Sequence, residues 1–377
     1  MNLRIVKTIA RKEFYHLMRD FRSLYLAFFI PLLLILLFGY ALSLDVDRIK
    51  TAVVDHDNTP ASRDLIRHLG ASTYFTVFAR PKNQQALTDL LDHGRTTMGI
   101  VIPPGWTGRI RSDQEAPLQV LFDGSDPNFA SISRGYIEAF VDEYNRKQLA
   151  AFLNRMGREP IQPPVEGRIR IWFNEDLESR RFIVPGIIAI IIMIVGAMLT
   201  SLVIAREYEN GTMETIRSLP IRAEELLLGK ALPYFFIALA DVLISILMGQ
   251  ILFGVVMKSL FSLMLLGSCL YLAVALNLGL LISTITKSQL VANQVAVLAT
   301  YLPSLLLSDF VFPISNMPEI LQKITYLVPA RYYIDILNGL YLRNIGMERL
   351  WESYAVLLIM ASVLALLNLA ALRKEGL

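Results

Sequence analysis

FIVPGIIAIIIMIVGAMLTSLVIA, residues 182–205, carries no charge, and REYENGTMETIRSLPIRAEELLLGK, residues 206–230, follows it at once. An uncharged run of this length exceeds the about 20 apolar residues that a helix needs to cross a bilayer core. It is apolar on every side, as a helix surrounded by lipid or by other helices has to be. The stretch after it changes character within one residue: Arg206, Glu207 and Glu209 lead into the turn-forming pair Asn210-Gly211. Thr212 then stands as an N-cap, Glu214 lies in the first turn where the helix dipole favours an acid, and Pro220 stops the helix about two turns later. The pattern predicts a short capped helix projecting from a membrane.

Composition agrees along the whole chain. Of 377 residues, 54% are hydrophobic and 18% charged, and the mean hydropathy is +0.48, more apolar than soluble domains. Working outward from residue 182, further apolar runs predict spans within 23–43, 231–308 (three helices, parted by Lys258 and Lys287) and 352–377. Pro31 in the first predicts a kink, since a spanning helix tolerates proline. Residues 1–22 are too polar to span. At helical spacing Leu3, Val6, Ala10, Phe14, Leu17 and Phe21 share one face and Arg4, Arg11, Lys12, Arg19 and Arg22 another, the pattern of a helix lying in the headgroup plane. A signal peptide is disfavoured by this long lead-in and by the lack of an A-x-A site. Basic residues before the first span place the N-terminus in the cytoplasm, and an even span count returns the C-terminus there.

Two segments do not span. Residues 44–181 have soluble patterning: KTAVVDHD, TYFTVFA, TTMGIVIPP and PLQVLFDGS predict strands, and 60–69, 83–91, 105–110 and 128–156 predict helices. The alternation predicts an α/β domain, extracytoplasmic in this topology, with Gly157–Arg170 as its linker to the membrane. Residues 309–351 are broken by Pro313, Pro318 and Pro329 yet apolar, which predicts two short helices dipping into the outer leaflet. The four basic residues of this segment then lie outside, against the usual bias. The fold class expected is a polytopic α-helical membrane protein with six spans, an N-terminal interfacial helix and an inserted α/β extracytoplasmic domain.

The loop at 206–230 resembles the signature of type-2 ABC exporter permeases, commonly E-R-E-x-G-T-x-E-x-L-x-x-x-P-I. Arg206, Glu207, Glu209, Gly211, Thr212, Glu214, Pro220, Ile221, Gly229 and Lys230 stand at matching positions, with Tyr208 and Ile216 as departures. WFNEDLESRRFIVPG upstream and FPISNMPEILQKITYLVPARYYIDIL downstream are also similar to family segments, so the resemblance covers nearly the whole chain. The long insertion matches the subgroup with a large extracytoplasmic domain. The resemblance implies an exporter subunit for a drug-like or lipid-like substrate or a cation, in the bacterial inner membrane. It implies that Arg206, Glu207, Glu209, Gly211, Thr212, Glu214 and Pro220 couple it to nucleotide-binding ATPase subunits, which hold ATP and Mg. Further partners expected are a second copy or a paralogous permease, a periplasmic adaptor and the lipid bilayer. Pro318, Pro329, Arg331 and Tyr332 are the expected extracytoplasmic gate residues.

Other chemistry is thin. Gly229-Lys230 does not complete a phosphate loop, because Glu224 and Ala231 stand where glycine and Ser/Thr are required. One cysteine and four scattered histidines give no metal-ligand spacing, and no basic stripe with aromatics points to nucleic acid. Asp241 lies deep in an apolar run, where a carboxylate is either an ion relay or a hydrogen-bonded helix contact. Gln250, Asn277, Asn293 and Gln294 are intramembrane polar candidates of the kind that hold helices together. Asp55, Asp57, Asp123 and Asp126 sit at strand ends, as turn formers or a cation site, and nothing supports hydrolase chemistry there. Rival readings are a membrane-anchored sensor or scaffold and an ion-coupled transporter using Asp241.

Overall fold

The computed structural model describes residues 1–41, 48–112, 114–125, 127–155, 173 and 179–376. Gly157–Arg170, Asp126 and most of WFNEDLE lie outside the described residues. The chain divides into two compact units, Leu44–Ile169 and the remainder.

The smaller unit is α/β. In order it runs β1 (Ile49–Asp55), with α1 (Leu3–Arg19) and α2 (Phe21–Ala41) preceding it in the chain, then α3 (Pro60–Ala71), β2 (Phe75–Ala79), α4 (Gln84–Asp92), β3 (Met98–Ile102), α5 (Trp106–Arg111), β4 (Gln119–Phe122) and α6 (Pro127–Arg155). The sheet order is β2-β1-β3-β4. β1 is parallel to β2 and β3, and β4 is antiparallel to β3. Strands β1 and β3 are almost wholly buried, as central parallel strands covered on both faces must be. One face packs Leu65, Ile66 and Leu69 of α3 with Ile137 and Tyr144 of α6; the other packs Leu87 of α4 against Ala52, Val54 and Val101.

The larger unit is a helical bundle. It contains α1, α2, α7 (Arg180–Glu209), α8 (Thr212–Ser218), α9 (Ala223–Phe253), α10 (Phe261–Thr286), α11 (Gln289–Leu306), α12 (Glu319–Thr325), α13 (Pro329–Asn338) and α14 (Met347–Lys374). Helices α7, α9, α10, α11 and α14 are long and apolar enough to cross a membrane. Helix α2 is apolar as well and continues through Pro31. This is a mostly helical membrane protein.

Helix α7 is the axis of the bundle and packs on α2, α9, α10, α11 and α13. Its tightest seam is with α10, where small residues let the backbones approach. A Cβ at Gly279 would run into the carbonyl oxygen of Ala197, and one at Gly196 would come to 3.0 Å from Ala275. Hydrogen bonds line the same seam. Thr200 Oγ1 donates to the Leu276 carbonyl at 2.9 Å, Tyr271 Oη donates to that of Ala189 at 3.1 Å, and Ser283 Oγ accepts from the amide of Ala205 at 2.8 Å. Without a hydrophobic drive between helices in lipid, such packing and hydrogen bonding hold a bundle together.

The 309–351 segment folds as two short helices, α12 and α13, followed by a π-helical turn, Gly339–Arg343. Helix α13 buries Ala330, Tyr333, Ile334, Ile336 and Leu337, and Tyr333 stacks on Tyr271 with ring centroids 4.3 Å apart. Because the Gly279 Cβ position is filled by α7 backbone, Gly279→Ala overpacks the seam at a cost of about 1–3 kcal/mol. The detergent-solubilised variant is expected to melt below the wild type, whereas an alanine at exposed Gly346 changes nothing.

Candidate functional site

The loop at 206–230 folds more tightly than a solvated turn. Helix α7 continues past the apolar run to Glu209, Gly211 takes φ +70° to reverse the chain, and α8 starts at Thr212. Gly211, not Thr212, is therefore the N-cap. Only a residue tolerant of the left-handed region fits there, and the Thr212 hydroxyl turns back to hydrogen-bond the Glu207 carboxylate. Met213 is buried and anchors α8 to the bundle. Glu214, Thr215, Ser218, Leu219 and Pro220 remain exposed.

Beneath this exposed face lies an ion network. Lys230 Nζ, on a side chain only 2% exposed, donates to Glu13 Oε1 at 2.6 Å and to Glu207 Oε1 at 2.7 Å. Lys12 adds a second cation 3.1 Å from Glu207, so two bases balance two acids. Arg206 reaches Asp20 at 3.3 Å and His16 at 3.2 Å, and Glu209 accepts from the backbone amide and side chain of Gln289 at 2.7 and 2.6 Å. Glu225 accepts from the Asn2 amide at 2.5 Å and from that of Arg222 at 3.2 Å. Helix α1 is thereby fastened along α9, with Val6, Glu13 and Leu17 buried. That differs from the expected interfacial helix with an all-apolar inner face: a carboxylate occupies its centre because a buried lysine waits there. Leu3 and Phe14, assigned to the same face, are 71% and 46% exposed.

The other side of α8 is tied to the end of α14. Arg217 donates to Glu375 at 2.7 Å and to Tyr208 Oη at 3.2 Å, and Lys287 pairs with Glu375 at 2.6 Å. The Lys287 ammonium beside it holds the Glu375 carboxyl below the usual carboxylate range. Between α1 and the α8–α9 loop opens an apolar cleft of about 460 Å³, walled by Ile5, Ile9, Ile216, Leu219, Ile221 and Leu226.

The coupling candidates thus divide. Arg206, Glu207 and Glu209 are tied into contacts between helices, while Gly211, Glu214 and Pro220 stay at the surface. Glu13, Lys230, Arg217 and Glu375 were missed as partners, because pairs more than a hundred residues apart leave no local pattern. Gly229-Lys230 lies inside α9, where the missing Cβ of Gly229 admits Ile9 of α1.

Among the intramembrane candidates, Asp241 is 2% exposed and has no hydrogen-bond or ion-pair partner among the described residues. Asn277 Nδ2 bonds its own helix at Ala273, and its carbonyl accepts from Asn368 of α14 at 2.8 Å. The Asn293 amide oxygen is buried without a donor, whereas Gln250 and Gln294 face outward. Pro318 caps α12, Pro329 opens α13, and Arg331 and Tyr332 line a second cleft with α14. In the α/β unit Asp57 accepts from Thr59 Oγ1 at 2.8 Å and from the Thr107 amide at 3.1 Å, and the Thr107 hydroxyl, foremost, keeps its carboxyl below the usual range. Asp55 accepts from Ser62 at 2.7 Å. Asp123 follows the antiparallel β4 and so lies at the opposite sheet edge. The internally satisfied Asp55–Asp57 cluster fits turn formation.

A bundle of apolar helices of spanning length, with one short, firmly seated helix at its charged end, defines a polytopic helical membrane protein. Residues 21–370 match the model of the ABC-2 family transporter protein, and the chain belongs to that family. It is 35% identical over 343 residues to the probable multidrug ABC transporter permease YbhS of Escherichia coli K12, covering 91% of this chain and 89% of that one. It is 28% identical to the probable multidrug ABC transporter permease YbhR of the same organism, covering 98% of each. The inner membrane transport permease YhhJ, also from that organism, is 26% identical over 86% of this chain and 84% of its own length.

Removing the ammonium leaves two buried carboxylates facing each other, so Lys230→Met is expected to destabilise the bundle by about 3–5 kcal/mol. Adding Glu13→Gln and Glu207→Gln to the same chain should recover most of the lost melting temperature. If the single and triple variants melt alike, the cluster is not an energetic unit.

Proposed function

We propose that this chain is the transmembrane subunit of an ATP-driven exporter, with α8 as the element gripped by a nucleotide-binding partner. The observation that carries this is the seating of α8. Thr212 bonds the Glu207 carboxylate of α7, Met213 is buried in the bundle core, and Arg217 reaches Tyr208 of α7 and Glu375 at the end of α14, while Glu214, Thr215 and Ser218 are exposed. A load on that outer face passes into α7, the helix at the centre of the bundle. ATP and Mg belong to the partner, since the Gly229-Lys230 pair serves helix packing.

In the same proposal α2 completes six crossings, both termini are cytoplasmic, and the unit Leu44–Ile169 lies on the extracytoplasmic side, as do α12 and α13. The outward-facing Gln250 on α9 and Gln294 on α11 are polar groups on helices otherwise exposing Leu247, Ile251, Leu298 and Leu302. Amides turned outward in lipid find partners on another helix, which supports pairing with a second copy or a paralogous permease. The names of the relatives above favour a drug-like cargo, hydrophobic or amphipathic, moved out of the membrane or cytoplasm. Ion coupling through Asp241, buried without a partner, is the competing mechanism.

Glu214→Lys reverses the one exposed charge in the first turn of α8 without touching the buried network. It is expected to abolish co-purification with the cognate ATPase and with it export, at an unchanged melting temperature. Intact association and transport in that variant would remove α8 from the mechanism, and loss of sodium- or proton-dependent flux in Asp241→Asn would favour ion coupling instead.

A further inference from the structure

At the end of the bundle opposite α8, the 309–315 segment, Tyr326, helix α13, Arg343 and the N-terminal part of α14 line an open polar cleft of about 660 Å³. Five charged side chains line it: Asp309, Arg331, Asp335, Arg343 and Glu352. None of them pairs with another. Arg331 lies over the ring of Tyr326, 4.1 Å from its centroid, and donates to Thr325. Asp335 accepts from Ser353 at 2.7 Å and Asp309 from the Ile314 amide at 2.8 Å. Arg343 and Glu352 have no ionic partner among the described residues. Asn338 lines the same cleft, and its amide oxygen is buried without a donor.

The contrast with the α8 end is informative. There, charges meet in pairs at 2.6–3.3 Å; here, acids and bases line one cleft and stay apart. Three carboxylates and an orphan acceptor call for a donor-rich cation, and two guanidiniums for an anion with several oxygens, the fork geometry that suits phosphate. Neighbouring side chains set the depth. Ile320, Ile324 and Leu327 of the α12 hairpin are 75%, 41% and 77% exposed, an apolar surface that seats such a hairpin in the headgroup and acyl boundary of a bilayer.

We propose that this cleft binds a zwitterionic head that joins a primary ammonium to a phosphate, as in an ethanolamine phospholipid. The ammonium lies toward Glu352, Asp335 and Asn338 and the phosphate toward Arg343 and Arg331. The net negative balance of the five side chains disfavours a purely anionic lipid. The placement in the outer leaflet rests on the topology proposed above; the binding chemistry does not.

The test uses the full chain in detergent, titrated with dihexanoyl phosphatidylethanolamine below its micellar concentration. Saturable binding, displaced by soluble phosphoethanolamine, is expected. The variant carrying Arg343→Gln and Glu352→Gln should bind at least about tenfold more weakly, the worth of one charge-assisted hydrogen bond. Glu319→Gln, on α12 but outside the cleft, should bind normally, and melting curves confirm that each variant is folded. Equal binding of dihexanoyl phosphatidylglycerol, or undiminished binding by the double variant, overturns the proposal. With the ATPase present, stimulation of hydrolysis by the ethanolamine lipid identifies a cargo, and binding without stimulation identifies a resident lipid; both support the site. Labelling of Glu319→Cys in a Cys269→Ser background by an impermeant maleimide on spheroplasts reports sidedness separately. A failed topology is thereby distinguished from a failed site.

Discussion

A buried ammonium held between two carboxylates from distant parts of the chain governs the charged end of this bundle. Lys230 lies inside α9, Glu207 in the last turn of α7 and Glu13 inside α1, so the fold alone brings Glu13 to the other two. Burying ions costs several kcal/mol each, and their attraction offsets that only when the geometry is good and remaining valences are filled. Here they are filled: Lys12 and the Thr212 hydroxyl complete the shell of Glu207. Such a cluster contributes less as net stability than as a register lock, because any slide of α1 along α9 or of α7 past α9 strands a charge.

That lock acts on the same helix that the small-residue seam acts on. Helix α7 is gripped along its length by α10, through Gly196, Thr200 and Gly279, and at its end by Lys230. Helix α8 follows after a single left-handed glycine. A short element attached in this way has little freedom of its own, so displacement of α8 becomes displacement of α7. Because α7 also touches α2, α9, α11 and α13, the proposed grip of a partner on α8 would act on most of the bundle.

Much of this was legible in the sequence. Apolar runs coincide closely with α7, α10 and α11, whereas α9 starts at Ala223 and α14 at Met347, ahead of the runs that indicated them, since the cost of a charge in lipid marks the apolar centre of a helix and not its ends. Strand positions in the α/β unit were equally plain from β-branched runs ended by turn residues. The partners of those elements were not. Lys230 stood out as a position matching the family signature and as the lysine of an incomplete phosphate loop, and nothing nearby pointed to Glu13 as its partner. Thr212 looked like an N-cap because its type and position fit; the structure gives that place to Gly211, since the turn needs positive φ and Thr212 has a better acceptor in Glu207. Helix α9 begins at Ala223, inside the expected loop, where the Glu225 carboxylate accepts from the amide of the N-cap residue Arg222.

The two ends of the bundle use charge in opposite ways, and this bears on how a conformational change can be distributed. At the α8 end the buried Lys230, Glu13 and Glu207 resist separation, because pulling them apart leaves unpartnered buried charge. Unpaired ions around the α12–α14 cleft impose no such penalty. Widening or narrowing that cleft leaves every charge solvated or bound to a ligand. Under the proposed coupling through α8, a bundle built in this way would move the charged end as one piece and take up the strain at the far end. The short proline-bounded helices α12 and α13 and the π-helical turn before α14 supply the joints there. The stiffness of one end is therefore a condition for the compliance of the other, and a transporter needs both in the same chain.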